Sequence, residues 1–313
     1  MNFFKKSILF TLVFSLMSFS VRADINVVTT IKPLHSLISN VMKGVGEPSL
    51  IIEGTSNPHN FVLKPSHAKL LQDADIIFWV GEDLEAFIEK PLKSLAKDTK
   101  KISFMELGSI SKLTFREENI FDHEEHDDHD GHKEDDHDDH DEHNHGEFDA
   151  HLWLDPVNAK KMVIEISHEL SELDPANKNT YMANADKTIE DLDRLIKEVN
   201  RSLSKDISYV VFHDAYQYFE KRFGVTSAGA LTLNPDVLPG AKQIIDIQNL
   251  IKEKNIKCIF SEPQYNPKII ETLANDTNIL TGTMDPLGAN LDSGATMYIK
   301  LIMNIANSIK NCS

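Results

Sequence analysis

Short runs of consecutive apolar residues, rather than alternating ones, recur along this chain and are separated by helical patterns. Asn26–Thr30, Ser49–Ile52, Asp75–Val80 and Lys101–Glu106 read as strands in the first half. Tyr209–Phe212, Val225–Ala230, Lys257–Ser261 and Asn278–Leu280 read as strands in the second. An unbroken apolar run suits a strand covered on both faces, which is the condition of a parallel sheet wrapped by helices. Helices are predicted from Lys32, over Lys64–Asp73 with Pro65 in its first turn, and over Leu84–Ala96 with Pro91 as a break. The second half offers Tyr216–Phe223, Ala241–Lys254, Pro267–Asn275 and Gly294–Lys310. Between the halves, Tyr181, Ala185, Ile189, Leu192, Ile196, Val199 and Leu203 step by three or four. That spacing predicts one helix of roughly 28 residues, about 42 Å long. The expected fold class is α/β: two βα lobes with central, mostly parallel sheets, joined by one long rigid helix.

Residues 1–23 read as a cleaved secretory signal. Lys5 and Lys6 precede an apolar stretch from Ser7 to Phe19, and Val21-Arg22-Ala23 offers a small-residue cleavage site. The expected organisation is then a first lobe over 24–173, a linker helix over 174–206 and a second lobe over 207–313. Cys258 and Cys312 are the two cysteines. In an exported chain such a pair is expected to bond and to fasten the C-terminal helix.

The formal net charge of −17 is local. Glu117–Asp149 holds 17 acids and one lysine, a net of −16, which leaves the rest of the chain near neutral. No basic concentration points to nucleic acid. Eight of the 14 histidines lie in that acidic stretch: His123, His126, His129, His132, His137, His140, His143 and His145. Imidazole nitrogen and carboxylate oxygen are the side-chain donors that borderline divalent metals accept. With no apolar residue between Phe121 and Phe148, residues 116–149 are expected to form a solvated, disordered loop that holds metal weakly.

Six histidines remain. His59 follows the second strand, His151 follows the acidic loop, and His213 closes a strand. Ligands of open α/β sheets bind beyond the carboxyl ends of strands, so these three could share one crevice. Equally, each could be a structural histidine. His67 and His168 read as helix-surface residues, and His35 could line the crevice without binding metal. Asp285 follows the last strand and is either a fourth donor or a group that caps or orients its neighbours. Enzyme motifs are absent: there is no HExxH, since His123-Glu-Glu-His126 is one residue short, no GxSxG and no phosphate-cradling glycine loop.

Ser56-Asn-Pro-His59, His151-Leu-Trp-Leu-Asp-Pro156, Phe212-His-Asp-Ala-Tyr-Gln-Tyr-Phe219, Glu262-Pro-Gln264 and Met284-Asp-Pro-Leu-Gly288 together resemble the metal-specific solute-binding proteins of ABC uptake systems, and among them the ZnuA-type periplasmic zinc-binding proteins. The acidic histidine loop is a further mark of the zinc group. The resemblance implies a non-enzymatic, monomeric periplasmic protein. It would hold Zn2+ between its lobes through His59, His151 and His213 and deliver it to an inner-membrane permease with a cytoplasmic ATPase. Manganese-binding relatives usually carry a carboxylate where this chain has His213, and some zinc members have a glutamate where it has Pro58. A manganese importer, a periplasmic metal buffer or adhesin, and a zinc hydrolase are the competing readings.

Overall fold

The structure is a computed structural model that describes residues 25–121, 147–235, 237 and 239–312. The signal segment and all eight loop histidines therefore lie outside the described residues. The first sheet has β1 (Val27–Thr29), β2 (Ser49–Leu50), β3 (Ile76–Trp79) and β4 (Lys100–Ser103) in the order β2-β1-β3-β4, every pairing parallel. Helices α1 (Lys32–Val41), α2 (Pro65–Asp73) and α3 (Glu82–Ser94) make the crossovers that parallel strands require. Pro91 lies inside α3 without ending it, and the backbone departure in that helix falls at Glu85 (φ −126°, ψ 46°).

The connection to the second lobe contains the expected long helix. A 3₁₀ turn at Pro175–Asn177 runs directly into α5 (Lys178–Ser202). It does not stand alone, for it packs against α4 (Pro156–Leu173), which the strand-by-strand reading did not mark. The side chain of Asp155 accepts from Val157 N at 2.8 Å and caps α4, and Pro156 occupies its first turn. The linker is thus one arm of a helical hairpin.

The second sheet repeats the first, with β5 (Tyr209–His213), β6 (Gly229–Thr232), β7 (Cys258–Ser261) and β8 (Leu280–Thr283) in the order β6-β5-β7-β8, again all parallel. Its helices are α6 (Gln217–Phe223), α7 (Ala241–Glu253) and α8 (Lys268–Thr277). Two strands begin later than the apolar runs that announce them. Val225 N and Ser227 N bond to the carbonyl and carboxylate of Glu220, so the chain joins the sheet only at Gly229. Asn278 ends α8 in the left-handed conformation (φ 56°), which postpones β8 to Leu280.

Side chains alternate across β5. Tyr209 and Val211 face a core shared with the first sheet, α1, α4 and α5, whereas Val210 and Phe212 face α7 and α8. Both faces are dry, which is why the run is uniformly apolar. The last helix, α9 (Met297–Lys310), leaves the second sheet and packs on α1 and α5. A disulfide from Cys258 in β7 to Cys312, across 54 residues, ties its end back. Closing a loop of that length is worth about 4 kcal/mol in the chain-entropy description. The double variant Cys258→Ser/Cys312→Ser should lose about 3–4 kcal/mol of unfolding free energy in urea; a loss below about 1 kcal/mol would mean the bridge adds little to what α9 packing already fixes.

Candidate metal centre

The three histidines of interest stand on three separate segments, one in a loop, one at a 3₁₀ turn and one at a strand end. His59 lies in the loop after β2, where Asn57 Oδ1 accepts from its backbone N at 3.0 Å in a tight Asx turn. His151 opens a 3₁₀ turn, Leu152–Leu154, whose three side chains are fully buried. His213 is the last residue of β5. The three rings meet in one cleft, with centroid separations of 5.6 Å for His59 and His151, 6.1 Å for His59 and His213, and 5.1 Å for His151 and His213. One ring nitrogen from each lies within 4.8 Å of the others.

Two buried carboxylates set the ring orientations. Asp149 Oδ1 accepts from the backbone N of His151 at 2.9 Å and lies 2.7 Å from its Nδ1. Glu262, the residue after β7, places Oε1 2.7 Å from Nδ1 of His213. A carboxylate at Nδ1 assigns the proton there and leaves Nε2 as a lone-pair donor. The Nε2 atoms of His151 and His213 are 3.3 Å apart. Two lone pairs at that distance repel unless a proton or a cation sits between them. The edge of a tetrahedron with Zn–N bonds of about 2.0–2.1 Å is about 3.4 Å, so the spacing suits a metal of that size. Asp149 and Glu262 thus stand behind two of the rings and orient them as donors toward one point.

Burial by itself would push the His213 imidazolium down. The Glu262 carboxylate, aided by Asp214 and Asp149, outweighs it and holds the pKa above the usual 6.5. Trp153, Tyr265, Pro286 and Leu287 complete the walls of the cleft. Glu262, Asn57 and Gln264 add polar atoms to the same lining.

Asp285 has another task. Its Oδ1 accepts from Leu287 N and Gly288 N at 3.0 Å each and from Gln264 Nε2 at 2.9 Å, and Oδ2 accepts from Ala289 N at 2.6 Å. It shapes the turn that carries Pro286 and Leu287 and reaches the cleft only through Gln264. His35 does not line the cleft. It is buried 3.1 Å from the carbonyl of Pro48 and 3.4 Å from Ser39 Oγ. His67 Nδ1 accepts from Lys64 N at 3.1 Å at the start of α2. His168 is exposed on α4 beside Glu169 and Glu172, a second group of metal-type donors whose carboxylates are bound by the ammonium of Lys100. Asp149 and Glu262 contact the Nδ1 atoms of His151 and His213, a role the sequence analysis did not give them. The Asp-x-His spacing of 149 and 151, and a glutamate immediately after a strand beside β5, were the available signals.

Two parallel-sheet lobes with imidazoles meeting between them are the build of a bilobal solute-binding protein. The comparisons with known proteins agree. The family model described as ZnuA, zinc-uptake complex component A, periplasmic, matches residues 27–312. A high-affinity zinc uptake system protein ZnuA from Brucella abortus (strain 2308) is 45% identical over 303 residues, covering 91% of each chain. A protein of the same name from Yersinia pestis is 33% identical over 292 residues, covering 93% of this chain and 92% of its own. Among solved structures, a crystal structure of ZnuA superposes with a TM-score of 0.75 at 22% identity, covering 93% of this chain and 99% of its own. The chain belongs to the ZnuA family.

Removing the Glu262 charge should release the proton bias it imposes. In metal-free protein, Glu262→Gln should lower the His213 imidazole pKa in an NMR titration, because the carboxylate is what outweighs burial. An unchanged His213 titration would show that the 2.7 Å contact does not set its protonation.

Proposed function

We propose that this chain is the periplasmic zinc-binding component of an ABC importer: it captures Zn2+ between its two lobes and hands it to a membrane permease driven by a cytoplasmic ATPase. The zinc is cargo, and no covalent bond in a substrate is made or broken. His59, His151 and His213 are the proposed ligands. The observation that carries the reading is the approach of one ring nitrogen from each to within 4.8 Å of the others. Membership of a zinc-uptake family supports it, as does the donor set. Imidazole suits zinc, whereas manganese sites favour oxygen, so three nitrogens favour zinc over manganese. Asp149 and Glu262 would orient two of the ligands and raise their basicity.

The lobes are proposed to divide at the 174–206 connection, with residues 1–23 removed on export. The acidic histidine stretch would hold further metal more weakly, since ordering so polar a segment costs entropy.

Zinc binds the unprotonated Nε2, so proton and metal compete. Because the His213 pKa is raised, that competition begins above pH 6.5 as the pH falls. Zinc affinity measured by chelator competition should weaken progressively as the pH falls, with the loss already under way above pH 6.5 and approaching tenfold per pH unit below it. Equal affinities at pH 5 and pH 7.5 would exclude an imidazole site. His213→Ala should abolish tight binding of one zinc while circular dichroism shows the fold intact; retained nanomolar binding in that variant would reject the ligand assignment.

A further inference from the structure

The segment Leu113–Phe121 crosses from the first lobe to the second and touches both halves of the histidine cluster from behind. At its start, Leu113 O accepts from Asp149 N at 2.8 Å, and Leu113 N donates to the hydroxyl of Tyr218 at 3.0 Å. The same hydroxyl donates to the carbonyl of Asp149 at 2.7 Å. Asp149 is the carboxylate that orients His151. At its end, the segment lies antiparallel on the outer edge of β6: Phe121 N donates to Ala228 O at 3.0 Å, and Ala230 N donates to Asn119 O at 2.8 Å. The approach is close enough to require glycine, since a Cβ on Gly229 would meet Asn119 O at 2.5 Å.

Midway, Arg116 reaches inward. Nη1 donates to Asp214 Oδ1 and Nη2 to Glu220 Oε2, both at 2.7 Å, and its guanidinium stacks 4.0 Å above the ring of Phe121. Asp214 and Glu220 are 4% and 2% exposed, so the fork supplies one cation to two buried carboxyl groups. Asp214 directly follows His213, and Glu220 sits on α6, the helix that also presents Tyr218. One strap therefore meets the side chain of Asp214, the residue after His213, through Arg116 and the backbone of Asp149 through Leu113.

We propose that Arg116 is a positioning residue for the histidine cluster: by fastening the strap to Asp214 and Glu220, it fixes the distance between the β5 end that bears His213 and the turn that bears His151. The proposal rests on the zinc reading above. A guanidinium suits the role because one planar group satisfies two carboxylates in a fixed fork, which an ammonium cannot do as rigidly. The strap adds no metal donor. It acts by keeping the two Nε2 atoms at their mutual spacing when the metal leaves.

The test uses the full mature chain and three readouts: zinc affinity by chelator competition, zinc release by stopped-flow, and the visible d–d absorption of the Co2+ form, which reports ligand geometry. Arg116→Gln should weaken zinc about tenfold, mostly through faster release, and should change the cobalt spectrum. Arg116→Lys should fall between Arg116→Gln and the parent. Lys93→Met, which removes an exposed ion pair with Glu89 on α3, should match the parent in all three. If Arg116→Gln folds with a lower melting temperature but keeps the parent's release rate and cobalt spectrum, the residue is only structural and the proposal is overturned. Where Arg116→Gln does not fold, Arg116→Lys and Gly229→Ala decide, the latter by lifting the strap at Asn119; parent-like release and spectra in both overturn it. Failure of the zinc reading is distinguishable, because His213→Ala would then leave the parent's zinc affinity intact.

Discussion

Two buried carboxylates, each 2.7 Å from an imidazole Nδ1, are the contacts on which the arrangement depends. They fix which nitrogen of His151 and of His213 is left to bind, and they turn both toward the same point. A carboxylate behind an imidazole makes that ring a better donor, which suits a molecule that takes up zinc.

The fold supplies the rigidity. Each candidate ligand is held by a strand end or a tight turn. The walls are braced across the lobes by further polar contacts. Trp153 Nε1 donates to Pro286 O at 2.8 Å, and Arg222 pairs with both oxygens of Asp155, the cap of α4, at 2.6 and 2.7 Å. The buried ammonium of Lys32, at the start of α1, donates to the carbonyls of Gly288, Ala289 and Leu291 at 2.8–3.3 Å. The turn that holds Pro286 and Leu287 is therefore pinned by a cation on one side and by Asp285 on the other. The α4–α5 hairpin and α9 make the two lobes share one apolar core.

The central strands were legible because burial on both faces favours apolar residues, as in Val27-Val28 and Tyr209–Phe212, whereas the edge strands β4 and β8 carry Lys100, Lys101, Thr281 and Thr283. His213 was legible as a candidate for a related reason: a polar residue closing such a run sits at the sheet's carboxyl edge. What escaped was of two kinds. Boundaries such as Gly229 and Leu280 depend on where Glu220 and Asn278 spend their local bonds, which periodicity does not encode. Helix α4 carries regular apolar steps at Ala159, Met162, Val163, Ile166 and Leu170, but it was overshadowed by its longer neighbour. The orienting groups were hidden by context. Asp149 is the last of 17 acids in its stretch and looks like one more solvated charge. Arg116 lies just before the same stretch, and only the fold reveals that it meets two buried carboxylates.

The most direct test of the central claim is an anomalous difference map recorded at the zinc edge from crystals of the mature protein grown with one equivalent of zinc. One strong peak about 2.0–2.1 Å from a ring nitrogen of each of His59, His151 and His213 is the expected result. A principal peak elsewhere, with those three rings unligated, would contradict the account.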